Sequence, residues 1–300
     1  SELSTQNSFA YTISADAVVG SVLTIAAKAY DAAGNIGIAS AQVQINQGPA
    51  GPGYLQGEVY DDAKGLLLAG ATVSIVSSAS STVQTLTTLE DGTYFTEFAA
   101  DTYLITLAKP GYTTVERTVT VKPEKDAVAV DARLTPINAQ QNVLDSNGGG
   151  IAVPLSASSA SSVVKVEFEV PTNALDEQTD IRLTPISNQG LAGLLPTGWS
   201  PIAVVDIRAF ATAGTEITEK SFGSGTSLRI PVLTGLNLTA AGSTPLVKYD
   251  TTNHQWIAQT PGAVSSDSAF ITASIPSTGQ YAFVLPDSAA TIAVQGSALP

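Results

Sequence analysis

The sequence contains no cysteine, no methionine and a single histidine, and Lys, Arg, Asp and Glu together make up only 13% of its 300 residues. Without cysteine there is no disulfide to staple a small fold, and no thiolate to act as nucleophile or soft metal ligand. Exported bacterial proteins often manage without it, so the absence is compatible with export and does not locate the chain. With His254 as the one histidine, a zinc site would have to lean on carboxylates, against the usual nitrogen and sulfur ligands. The lack of methionine leads to the expectation of a processed or partial chain, its signal peptide removed. Basic residues are scarce: 13 Lys and Arg against 26 Asp and Glu give a net charge of −13. Such a charge repels phosphate backbones, so no nucleic-acid partner is expected. No apolar run approaches the roughly 18 residues of a spanning helix, and no membrane insertion of this segment is expected. There is no Gly-rich phosphate loop either, so no hydrolase, transferase or redox activity, and no organic cofactor, is expected.

What remains is a chain with 44% hydrophobic residues set in short alternating runs. The clearest stretch covers residues 57–136. Runs over 57–60, 72–76, 83–88, 93–98, 102–108, 115–121 and 128–134 alternate with turn signals. Asp91-Gly92 reads as a two-residue hairpin, because both residues tolerate the positive φ of a tight turn. Lys109-Pro110-Gly111-Tyr112 breaks the chain again. Gly57-Glu58-Val59, Gly70-Ala71-Thr72-Val73, Asp91-Gly92-Thr93-Tyr94, Thr102-Tyr103-Leu104-Ile105 and Gly111-Tyr112 resemble the carboxypeptidase regulatory-like family, a small prealbumin-like β-sandwich. That resemblance implies a non-catalytic module over residues 54–136.

Residues 1–47 alternate at Phe9, Tyr11 and Ile13, then again from Val22 to Ile25, at Ile36 and Ile38, and at Val43 and Ile45. Gly20-Ser21 and the turn at 29–35 resemble the C-terminal half of bacterial Ig-like repeats. About four strands are legible where a full sandwich has about seven. A partial sandwich is therefore expected, with an open edge that a preceding segment or a neighbouring subunit completes by strand addition. Residues 48–53, with Pro49 and Pro52 among glycines, read as a Pro/Gly linker, and residues 137–147 as a second, polar linker. Residues 148–287 show period-two patterning, clearest where Val164, Val166, Phe168 and Val170 oppose Lys165, Glu167 and Glu169. Gly148-Gly149, Val170-Pro171 with Ala174-Leu175, Thr179-Asp180-Ile181 and the closing run 279–284 resemble the ZU5 family of β-sandwiches. Residues 288–300 read as a tail or the start of a further module. No helix of ordinary length is expected, the one exception being a turn near 173–178. The fold class is all-β, as tandem β-sandwich modules arranged end to end. An odd strand count in the central module places its two chain ends at opposite poles.

Few residues suggest chemistry. His254 sits in a hairpin tip and reads as an exposed loop residue rather than a catalytic base. Some ZU5 members cleave their own chain at a His-Phe-Ser step; here Lys220-Ser221-Phe222 lacks the histidine, and that activity is not expected. Lys64 lies in a loop, and no isopeptide crosslink is expected from it. Asp61, Asp62 and Asp91 fall in loops that reach one end of the central sandwich, and Asp31 with Asn35 forms a similar turn. These carboxylates are calcium candidates; turn chemistry is the competing account, because Asp bonds its own following backbone. Trp199 and Trp256 read as sandwich packing or as a sugar-stacking platform. Asn237-Leu238-Thr239 matches an N-glycosylation acceptor.

The function expected is that of a non-catalytic structural or adhesive segment, such as a stalk, spacer or fibre element. Its parent is a modular secreted or cell-surface protein, bacterial in type. The alternative is an accessory or carbohydrate-binding region of a larger secreted enzyme. Expected partners are other protein modules or subunits and glycans, at the cell surface or outside the cell.

Overall fold

The computed structural model describes residues 17–30, 36–45, 51–155, 165–233, 236 and 238–286. It is all-β, and no helix occurs among the described residues. The chain divides into two compact units, Ser1–Pro52 and Gly53–Pro300. The central and C-terminal modules, read from sequence as separate domains, thus fall in one unit.

In the first unit, Val22–Tyr30 pairs antiparallel with Ile36–Gln44 across nine residues, from Val22 opposite Gln44 to Tyr30 opposite Ile36. The short runs legible in sequence are parts of these two long strands. Every residue of Ile36–Gln44 is exposed, and Val22, Ile36 and Ile38 are each more than half exposed. A lone two-stranded hairpin is marginal in water, so the described part of this unit has no core of its own. Phe9, Tyr11, Ile13, Asp31 and Asn35 lie outside the described residues.

The central module is organised by the strand Gly53–Asp61. Its alternating burial places Leu55, Gly57, Val59 and Asp61 on the inner face. Thr93–Phe98 pairs with it antiparallel, from Gly53 opposite Phe98 to Glu58 opposite Thr93, and Leu66–Leu67 extends that side. On its other side Asp126–Val128 and Ala132–Leu134 pair with it in parallel. The run expected over 128–134 is thus two short strands separated by a break. The facing sheet runs Val83–Thr87, Thr72–Ser77, Asp101–Ala108, Val115–Val121, all antiparallel. Between the sheets lie Leu55, Val59, Val73, Ile75, Tyr94, Tyr103, Ile105, Leu107 and Leu134, all buried. Gly57 is needed where the Tyr94 ring crosses the strand: a Cβ there would lie 2.3 Å from the Tyr94 hydroxyl.

Asp91-Gly92 does not close a hairpin. The strands before and after it belong to different sheets, so it is a crossing turn. Local chemistry explains why the signal was there: the Asp91 carboxylate accepts the Thr93 N–H and hydroxyl at 3.1 and 2.7 Å, and Gly92 has φ +74°.

The C-terminal module is a larger sandwich. One sheet runs Val143–Leu144, Thr179–Ile186, Trp199–Ala211, Gly279–Pro286, Leu246–Asp250, Gln255–Ala258, with Glu216–Ile217 beside Trp199–Ala211. The other runs Gly149–Pro154, Lys165–Val170, Ser227–Pro231, Phe270–Ser274, Gly262–Val264, Ser243–Thr244. Their shared core includes Phe168, Ile181, Leu183, Ile207, Leu228, Tyr281 and Phe283. A second apolar cluster, Ile186, Leu191, Val204, Val247, Ala282 and Val284, lies on the outer face of the first sheet. With both faces covered, Trp199–Ala211 is buried almost continuously rather than alternately.

The segment 137–147, read as a linker, is zipped to this sheet. The Asn138 N–H donates to the Thr184 hydroxyl and the Asn142 N–H to the Asp180 carboxylate, while Val143–Leu144 adds a strand opposite Thr179 and Asp180. Its polar residues serve as ladder partners, which sequence composition does not distinguish from a solvated loop.

Candidate functional site

The most concentrated polar chemistry lies in the seam between the central and C-terminal modules. The strand Val115–Val121 opens with Val115, Glu116 and Arg117 all buried, although adjacent strand residues point to opposite faces. Both faces are covered here, because the loop after Thr179–Ile186 lies against this strand start. The Glu116 N–H donates to the Ala192 carbonyl, and the Ala192 N–H donates to the Gln280 side chain at 2.7 Å.

The Glu116 carboxylate is the centre of the seam. One oxygen accepts the Tyr249 hydroxyl at 2.6 Å and sits 2.8 Å from His254 Nδ1. Burial, then the hydrogen bond to Glu116 and its charge, push the Tyr249 phenol well above its ordinary pKa. The His254 ring is 42% exposed, and His254 holds its position at the hairpin tip with φ +53°. The tip was legible in sequence; the contact with Glu116 was not.

Arg117 is 3% exposed. Its guanidinium donates to the carbonyls of Glu116 at 2.8 Å, Asp131 at 3.2 Å and Leu191 at 3.3 Å, so it clips the modules through backbone oxygens. Burial lowers its pKa to about 10. Asp62 extends the seam: it accepts the Thr135 hydroxyl at 2.9 Å from its own module and the Ser187 hydroxyl at 2.7 Å from the other. The signal that would have found this site is the Glu116-Arg117 pair. Two adjacent charges in a run that otherwise alternates valine with threonine leave one charge on the inner face.

Each calcium candidate within the described residues has protein donors. Asp61 accepts the N–H groups of Ala63 and Lys64 and the Tyr112 hydroxyl, and lies 3.1 Å from the Lys64 ammonium. Burial opposes ionisation of Asp61, but the bonds from Lys64 and Tyr112 outweigh it and lower its pKa. Asp62 serves the seam and Asp91 its own turn. Among the described residues no group of three or more His, Asp or Glu side chains is placed to hold a metal ion. Asp31 and Asn237 lie outside the described residues. Trp256 donates to the Gly193 carbonyl at 2.9 Å and meets the Tyr249 ring edge-on at 5.2 Å, and both Trp199 and Trp256 pack on the outer apolar cluster. Lys220 is held by Asp176 and Glu177.

Two clefts flank the seam. One, of about 360 Å³, lies beside Tyr249, Lys248 and Gln280. The other, of about 610 Å³, takes Lys109 and Tyr112 from the central module and Arg182, Arg208, Phe210 and Glu216 from the C-terminal one.

No curated protein matches the chain. Among solved structures, the Bacillus anthracis TIE protein aligns over 85% of this chain at 11% identity and TM-score 0.28; the chain spans about half (51%) of that protein's length. A Bacteroides uniformis protein, named as a proposed carbohydrate binding protein, aligns over 80% of this chain and 100% of its own at 14% identity and TM-score 0.25. A Ca²⁺-stabilized adhesin with which an Antarctic bacterium binds ice aligns over 88% of this chain and 73% of its own at 11% identity and TM-score 0.16. These alignments are too shallow to carry function. Residues 54–135, the module built on Gly53–Asp61, match the carboxypeptidase regulatory-like domain family.

Proposed function

We propose that this chain is a non-catalytic, load-bearing segment of a modular secreted or cell-surface protein. One observation carries the reading. The first strand of the central module, Gly53–Asp61, lies beside its last, Ala132–Leu134, in parallel, with Ala132 opposite Val59 and Leu134 opposite Asp61. The chain therefore comes in at the Gly53 end and leaves at the Asp61 end. Tension along the chain slides these strands past each other and loads their hydrogen bonds together rather than one at a time. The buried seam then passes load into the C-terminal module without a free hinge. The exposed hairpin of the first unit fits a further role, as the edge that a strand from a partner segment completes. The ZU5-like and Ig-like assignments of the outer modules belong to the same reading.

The test is single-molecule pulling, for which the cysteine-free chain is suited because handles attach only where cysteine is introduced. Handles at Pro52→Cys and Ala139→Cys load the parallel pair in shear. Handles at Pro52→Cys and Ala100→Cys peel Gly53–Asp61 from Thr93–Phe98, whose paired ends, Gly53 and Phe98, are neighbours. The central module should resist the first geometry several-fold more strongly than the second. Equal unfolding forces would refute the load-bearing role.

A further inference from the structure

The larger cleft at the seam gathers three of the few cations of an acidic protein. The chain has 13 Lys and Arg in 300 residues and a net charge of −13. Yet the cleft of about 610 Å³ is lined by Lys109, Arg182 and Arg208 against one carboxylate, Glu216. These cations are held in place before any ligand arrives. The Arg182 guanidinium lies over the Phe210 ring, 4.3 Å from its centroid, and its Nε donates to Asp180 at 3.0 Å. Arg208 uses its Nε on Asp206 at 2.7 Å and one terminal nitrogen on Glu216 at 3.3 Å. Lys109 spends one proton on the Ala69 carbonyl at 2.6 Å and has no carboxylate partner among the described residues. The bonds of Arg182 leave both of its terminal nitrogens without a partner among the described residues. Asp180 and Asp206 do not line this cleft, so its lining sets the donors of Lys109, Arg182 and Arg208 beside the single carboxylate of Glu216. With each arginine paired to an aspartate, the cleft would recognise an anion through directed N–H donors and the Lys109 ammonium rather than through a net field.

We propose that this cleft binds a carboxylate-bearing oligosaccharide of the uronate type. A guanidinium with two free terminal nitrogens matches a carboxylate in geometry as well as charge. Thr72, Gly111 and Thr114 also line the cleft, residue types that suit sugar hydroxyls, and the volume lies within the range of ligand pockets. One face of the Phe210 ring already carries the Arg182 guanidinium, which disfavours a ligand that stacks there. The inference rests on the two modules keeping their seam, since both supply the cleft.

Isothermal titration of the full chain with tetragalacturonate tests it, with cellotetraose as the neutral saccharide and tetraglutamate as the acidic peptide. Tetragalacturonate should bind, more weakly as salt rises, and cellotetraose should not. Arg182→Gln should weaken binding about tenfold, the loss of a charge-assisted pair. Glu216→Gln removes the one opposing carboxylate from an exposed position and should tighten binding, a gain that misfolding cannot produce. Equal binding of cellotetraose, equal or tighter binding of tetraglutamate, an unaltered affinity in either variant, or no binding of tetragalacturonate would each overturn the proposal. If the seam is independently found rigid, failure here removes the cleft ligand and leaves the load-bearing role standing.

Discussion

Replacing Glu116 with alanine removes the acceptor at the centre of the seam, and the structure sets the size of the loss. Tyr249 and Glu116 are 5% and 8% exposed, so their 2.6 Å hydrogen bond is a buried one to a charged group, contributing about 1.5–3 kcal/mol. The His254 contact adds less, about 0.5 kcal/mol, because that ring is 42% exposed and water screens the pair. Glu116→Ala should therefore cost about 2–3.5 kcal/mol. Tyr249→Phe, which cuts the same bond from the other side, should cost about 1.5–2 kcal/mol. If the bond is the shared cause, the double variant loses less than the sum, with a coupling of about 1.5 kcal/mol. Urea denaturation of the four proteins measures it. Additivity within about 0.3 kcal/mol would refute the argument, because the two side chains would then stabilise the chain independently.

The turn at Asp91-Gly92 should tolerate no side chain: a Cβ at Gly92 meets the Leu68 nitrogen at 2.7 Å and the Val59 carbonyl at 2.9 Å. Gly92→Ala should cost about 2–4 kcal/mol, whereas Gly65→Ala, also at positive φ but in open space, should cost about 1 kcal/mol; equal losses in thermal unfolding would count against the close approach. Hydrogen bonds from Ser77 and Ser78 hold the Asp101 carboxyl at about 2, below its ordinary 3.8. A depressed carboxyl contributes stability that is present above the ordinary pKa and lost as pH falls through the folded one. Stability should thus decline between about pH 4 and pH 2, with a shallower decline in Asp101→Asn; an unchanged slope would exclude Asp101 as a source.

How much of this could be read from the chain depends on the reach of each signal. Strand positions follow from local alternation, as in Lys165–Val170, where Val166, Phe168 and Val170 are buried and Lys165 and Glu169 exposed. Partners do not follow from it. Asp91-Gly92 carries hairpin chemistry, yet it joins strands of two sheets, because a turn fixes only the next few residues. Asn138 and Asn142 look like loop residues until the strand they bond is known. The seam is the extreme case. Glu116 and His254 are 138 residues apart, and each reads locally as a solvated residue. Only the broken alternation at Glu116-Arg117 hinted that both faces of that strand are covered. Asp62 reads as a metal candidate in sequence, and in the fold its carboxylate accepts one hydroxyl from each module.

Both the load-bearing role and the cleft require the central and C-terminal modules to move as one body, and a distance measurement tests this most directly. Ser81 and Ser266 are exposed, one in each module, and the absence of native cysteine lets nitroxides be placed at Ser81→Cys and Ser266→Cys alone. Pulsed dipolar spectroscopy on the full chain should give a single narrow distance distribution, broadened when Glu116→Ala and Arg117→Met are added. A broad distribution in the otherwise unaltered chain, or one that those substitutions leave unchanged, would contradict the account.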